Sequence, residues 1–181
     1  MHEEIGKRQP FPPITIIPED TRYIPAGAIT IGVGHRILTE KIADEYLEKV
    51  GYPRVKTTGY KHNDDGGVSI YVLDNERREH FRLDVFDAQP HYHYVFQNEN
   101  AQARVLLDPV TTGDPMQWAM WCLVNRLPEI LRHEGQPELA QKVDRQTIEA
   151  VLPKVAEAVK WAERNFKAAW EKERATSGSP S

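Results

Sequence analysis

The alternation of apolar and polar positions splits the chain into a β-rich half and a helical half. Val68, Ile70 and Val72 alternate with Ser69, Tyr71 and Leu73, behind a turn cluster from Asn63 to Gly67. Phe81 to Asp87 and His91 to Phe96 read as two more strands, with Asp74 to Glu79 as a charged hairpin loop before them. Ala103 to Leu107 adds a further strand. Connections this short join antiparallel neighbours. Upstream, Ala28 to Val33 reads as a strand and Gly32 and Gly34 bracket a turn. Thr39 then caps a helix with Ile42, Ala43, Tyr46, Leu47 and Val50 on one face, and Gly51 stops it.

The second half carries helical periods. Asp114 is an N-cap, Pro115 stands at the first helical position, and Gln117 follows three residues after the cap. Met116, Ala119, Met120, Leu123, Val124, Leu127, Ile130 and Leu131 form a stripe. Trp118, Trp121 and Cys122 widen it until its first half is apolar almost all round, which predicts burial. Pro128 predicts a break near Asn125 to Leu127, and Gly135 and Pro137 end the element. A long helix follows from about Arg145 to Glu173, with Ile148, Val151, Leu152, Val155, Val159, Ala162, Phe166 and Ala169 on its apolar face. Pro153 should bend it or mark a fresh start.

These elements predict an α+β fold: a small antiparallel sheet of three to four strands packed against helices, with a long C-terminal helix. Residues 1–27 form a Pro-rich extended arm, because Pro10, Pro12, Pro13, Pro18 and Pro25 fix φ and remove donors. Ile14, Ile16 and Ile17 can anchor it across the body. The arm either straps down the N-terminus, the commoner role, or grasps a partner. Residues 28–135 form the core domain, 136–175 a helical extension and 176–181 a flexible tail.

Composition narrows the function classes. With 181 residues, 40% hydrophobic and 28% charged, the chain is ordinary globular material of about one domain. A net charge of −4 argues against a dedicated nucleic-acid binder. The single cysteine, Cys122, rules out an intramolecular disulfide. Flanked by Met120, Trp121 and Leu123, it reads as a buried, inert thiol. No signal peptide is visible, and the apolar run from Trp118 to Val124 is far short of the ~20 residues that span a bilayer, so a cytoplasmic location without membrane contact is expected. The apolar face of the last helix must bury against its own domain or a second copy, so a homodimer through that helix is also expected.

Candidate chemistry concentrates in one hairpin. His91 and His93 are two apart and share a strand face, with Asp84 and Asp87 on the preceding strand. Neutral imidazoles suit zinc and similar divalent transition metals, and a catalytic zinc site takes three protein ligands and one open position. Register decides the third ligand. A four-residue turn pairs Phe86 with His91 and Asp84 with His93, which puts Asp84, Arg82 and His80 on the histidine face. A three-residue turn pairs Asp87 with His91 instead. His62, His35 or Asp64 could join only through tertiary folding. The competing reading is metal-free: the histidines hydrogen-bond Asp84, Asp87 or backbone in a polar network, or one of them acts as an aspartate-oriented acid–base group. Gly32-Val33-Gly34-His35-Arg36 before a helix invites a phosphate-site reading, but the third glycine of a dinucleotide fingerprint and a Walker lysine pattern are missing.

The hairpin, with Pro90-His91-Tyr92-His93-Tyr94 at its centre, resembles an uncharacterised bacterial family, a domain of unknown function with a Pro-His-Tyr-His-Tyr signature. Gly32 to Arg36 and Trp121 to Leu131 fit the same frame, and the resemblance covers roughly residues 28–135. It implies no established activity and transfers no catalytic roles. Two function classes follow. The first, and the one favoured, is a non-enzymatic interaction or accessory protein. The alternative is a metal-dependent hydrolase in which His91, His93 and Asp84 or Asp87 hold a zinc whose bound water is the nucleophile.

Overall fold

In a computed structural model, which describes residues 5–54 and 64–177, one antiparallel sheet organises the chain. Its strands are β1 (Lys7–Gln9), β2 (Thr21–Ala26), β3 (Ile29–Leu38), β4 (Asp65–Asp74), β5 (Glu79–Phe86), β6 (His91–Phe96) and β7 (Ala101–Leu106). The order across the sheet is β1-β7-β6-β5-β4-β3-β2. The expected three to four strands are thus seven. The additional strands are carried largely by the Pro-rich stretch, whose β1 pairs with β7 and whose β2 pairs with β3. Pro25 fits there because β2 lies at the sheet edge, where a missing N–H costs little.

Gly32 and Gly34 do not bracket a turn. They lie within the ten-residue β3, opposite Tyr71 and Ser69 of β4. Glycine serves a packing need there: a Cβ on Gly32 would meet the Tyr71 ring at 3.2 Å, and one on Gly34 would stand 2.7 Å from the Asp20 carbonyl oxygen. The Gly-x-Gly-His-Arg run is therefore strand, with none of the loop geometry a phosphate site needs.

The helices are α1 (Glu40–Lys49), α2 (Pro109–Thr112), α3 (Pro115–Asn125), α4 (Leu127–His133), α5 (Pro137–Lys142) and α6 (Arg145–Ser177). α3, α4 and α6 pack on one face of the sheet, whereas α1 lies toward the other, its Tyr46 hydroxyl donating to the Pro12 carbonyl. The Thr39 hydroxyl accepts from the Ile42 N–H at 3.2 Å, and the Asp114 carboxylate accepts from the Gln117 N–H at 2.7 Å. α3 and α4 part at Arg126, two residues before Pro128. Pro153 starts no new helix: α6 runs through it for 33 residues. Packing on both sides of the proline, with Ile148 and Val155 buried, overrides the lost hydrogen bond. Thr176 is still helical, and residues 178–181 of the expected tail lie outside the described residues.

The core lies between this helical layer and one sheet face. Ile29, Ile31 and Val33, Val68, Ile70 and Val72, and Phe81 and Leu83 meet Ala119, Leu123, Leu127, Val155 and Ala162 there. Cys122 is buried among them, and burial pushes its thiol up to about 12. Trp121 departs from the expected burial: it stands 52% exposed on the outer side of α3. The helical layer covers less of α3 than its all-round apolar sequence implies. Arg36, Ser69, Tyr71, Arg82, Asp84, His91 and His93 fall on the opposite face of the sheet, as the two-residue period and the register require.

Candidate metal centre

Asp84 and His91 are directly opposite one another on β5 and β6, and Arg82 is opposite His93. Both registers considered from sequence are therefore wrong. The connection is wider than three or four residues, so each histidine meets a residue further back along β5. Asp65 explains why. Its carboxylate accepts from the N–H groups of Gly66 (2.8 Å), Ala88 (3.0 Å) and Gln89 (2.9 Å), and so holds the loop open as a built turn. The pairing still has the parity that places Asp84 and Arg82 on the histidine face.

The other candidates go elsewhere. Asp87 is exposed in the loop, its N–H bonded to the Gly66 carbonyl. A bulge opposite Val72 and Leu73 turns His80 to the helical side, where Nε2 lies 3.2 Å from Asp74 and Nδ1 3.6 Å from Glu134. His35 also faces that side, with its ring against Trp161. Asp64 accepts from the Glu40 N–H. His62 lies outside the described residues.

Asp84, His91 and His93 converge. Their exposures are 3%, 4% and 7%, and one ligand-type atom from each lies within 4.8 Å of the others. Nε2 of His91 is 3.4 Å, and Nε2 of His93 3.2 Å, from the same oxygen, Asp84 Oδ2. The other oxygen, Oδ1, accepts from the Ser69 hydroxyl. Ser69 interrupts an apolar run, Val68 to Ile70, and that interruption was its only trace in the sequence.

The proton on His91 can be placed. Its Nδ1 lies 2.6 Å from the carbonyl oxygen of Gln89, which can only accept, and 3.5 Å from Arg104 Nη2, which can only donate; the much shorter contact decides, so Nδ1 donates to Gln89. In neutral His91 the lone pair of Nε2 then faces a carboxylate oxygen. That contact is repulsive unless a proton or a cation lies between. His93 Nδ1 is buried without a hydrogen-bond partner.

Charge follows burial and partners. Burial alone would raise the Asp84 carboxyl, but the two imidazoles, followed by Arg82, hold it well below the usual carboxylate range. Burial lowers His93, and Asp84 only partly offsets that. Arg82 is paired in a fork with Glu79, Nε to Oε1 at 2.6 Å and Nη2 to Oε2 at 2.8 Å. The two imidazoles thus face an ionised carboxylate, beside a guanidinium already paired with Glu79.

A family profile described as a domain of unknown function, DUF7700, matches residues 23–159. The chain belongs to this family. The match runs from β2 into α6, and so takes in the whole Asp84–His91–His93 cluster while leaving out residues 1–22. No curated protein matches, and no solved structure matches. Among the described residues no helix is long and apolar enough to cross a membrane.

Proposed function

We propose that this chain is a non-enzymatic accessory domain that holds a divalent transition metal such as zinc at Asp84, His91 and His93. The observation that carries the reading is the fixed tautomer of His91. A ring whose Nδ1–H is committed to a backbone carbonyl presents Nε2 as a metal ligand, which is the usual outer-shell arrangement of metal-bound histidine. Bonds of about 2.0–2.1 Å to a tetrahedral ion separate its ligand atoms by about 3.3–3.4 Å. The two imidazole–carboxylate contacts, at 3.4 and 3.2 Å, are close to that spacing.

The sealed position favours an accessory role over the hydrolase alternative. A hydrolytic zinc needs a coordination position open to substrate. Here all three side chains are buried. A surface groove of about 240 Å³ is lined by Ala28, Asp74, Arg78, Gln136, Lys142 and neighbours, and by none of the three. The α6 residues Val155, Ala158, Val159 and Ala162 are buried against the chain's own core, so a homodimer through α6 has to use surface beyond that stripe.

Elemental analysis of purified protein tests the proposal. Near-stoichiometric transition metal in the wild type, lost in His93→Ala, is the expected result. Metal-free protein that gains no thermal stability from added zinc would overturn it and leave a hydrogen-bonded network.

A further inference from the structure

The first strand and the second lie at opposite edges of the sheet. At ~4.8 Å per strand, the segment between them must cross ~29 Å. Pro10 to Asp20 makes this crossing and ends in one 3-10 turn, Pro18–Asp20; a chain of that length reaches at most ~40 Å. It crosses the polar face, fastened by its backbone. The Pro12 carbonyl accepts from the Gln102 amide at 3.2 Å and from the Tyr46 hydroxyl. The Ile14 carbonyl accepts from both Arg82 Nη2 (2.7 Å) and Arg36 Nη1 (3.2 Å), and the Thr15 carbonyl from Arg36 Nη2 (2.7 Å).

Arg36 is the anomaly. It is 5% exposed, and its Nε is buried without an acceptor. Among the described residues no carboxylate lies within ion-pair reach of it, whereas Arg82 has Glu79. Two buried guanidiniums thus share one neutral carbonyl oxygen, and one of them has no counter-charge. An unpaired buried charge is costly, and a charged acceptor binds a guanidinium about twice as strongly as a neutral one. The family match takes in Arg36 and Arg82 but not the segment that fills the space between them.

From this we infer that Arg36 and Arg82 form an oxyanion-binding site, for a phosphate or carboxylate group, which the Ile14 and Thr15 carbonyls occupy as an internal stand-in. An oxyanion supplies the missing negative charge and an acceptor for Arg36 Nε, and its entry displaces the strap from the polar face. This inference stands apart from the metal centre and does not require it.

Limited proteolysis of the full chain by proteinase K, with cuts within residues 14–17 read by mass, tests the inference, because cleavage there follows opening of the strap. Inorganic phosphate, and separately acetate, is titrated against chloride at constant ionic strength. Phosphate or acetate should accelerate strap cleavage on the order of tenfold, saturably, in the wild type, and the more effective of the two identifies the ligand class. Arg36→Gln should be cleaved fast from the start and show no response. Arg36→Lys, which keeps the charge without the fork, should respond more weakly than the wild type. Unchanged strap cleavage in the wild type, or an equal response in Arg36→Gln or Arg36→Lys, would overturn the inference. If Arg36→Gln does not fold, the wild type and Arg36→Lys decide it alone.

Discussion

Asp84→Asn should be among the most destabilising isosteric changes on the polar face. Asn keeps the shape and an acceptor for Ser69, but removes the charge that both imidazoles face across 3.2–3.4 Å. Breaking one partner out of a buried ionic cluster costs about 3–5 kcal/mol. Arg82 retains its fork to Glu79, so the cost belongs at the lower end, about 3 kcal/mol. For a chain of this size each kcal/mol shifts Tm by about 2–4 °C, which gives a fall of about 6–12 °C. Thermal unfolding followed by circular dichroism at pH 7 in a chelator isolates this effect from any bound metal. Asp87→Asn is the matched control: an exposed loop carboxylate whose loss should change stability by less than about 0.5 kcal/mol. The pH dependence should change too. The folded Asp84 carboxyl is depressed, so its contribution is complete above the unfolded value near 3.9 and is lost as pH falls below that toward the folded value. The wild type should therefore lose stability on acidification through this window, and Asp84→Asn should lose less. A variant within 2 °C of the wild type, with the same acid profile, would show that the cluster contributes little and that the charge argument is wrong.

Further outcomes follow from the same geometry. His93 and His80 are both lowered by burial, so stability should begin to fall as pH drops below about 6.5, and His80→Gln with His93→Gln should flatten that limb of a Tm-against-pH curve. Glu134 is pushed up to about 10 by burial and is protonated at pH 7; stability should decline as pH rises from about 4.5 toward 10, and Glu134→Gln should melt higher than the wild type at pH 9. Zinc at one hundred times its Kd should stabilise the wild type by about 2.7 kcal/mol and leave the Tm of His93→Ala unchanged. Truncation before Arg145 uncovers Ile29, Ile31 and Val33 as well as the removed stripe, and light scattering should report aggregation rather than a silent monomer.

The sequence made one face of this fold legible and left the other obscure. Alternation in Val68 to Leu73 and the broad stripe of Met116 to Leu131 were enough to place sheet against helix, because burial on one side imposes a period. The short β1 and the Pro-interrupted β2 left no such trace, since edge strands need neither alternation nor a full set of donors. The histidine face followed from parity, but the pairing did not, because it depends on a carboxylate, Asp65, that grips a loop more than twenty residues away. Gly32 and Gly34 were misread for a related reason. Their purpose is room for Tyr71, Thr21 and Asp20, which is visible only once strands are neighbours.

The crossing of the polar face also sets an order of events during synthesis. β1 leaves the ribosome first, yet its partner β7 is encoded almost a hundred residues later, with Lys7 opposite Arg104. At ~5–20 residues per second, the N-terminal strand waits on the order of 5–20 s before the edge it completes exists. Until then the far end of the strap has no sheet edge to fasten to, and the part of the polar face beneath that end is open to solvent. The nascent chain therefore passes through a stage in which that part of the polar face is exposed, and ions can reach it before the first strand docks.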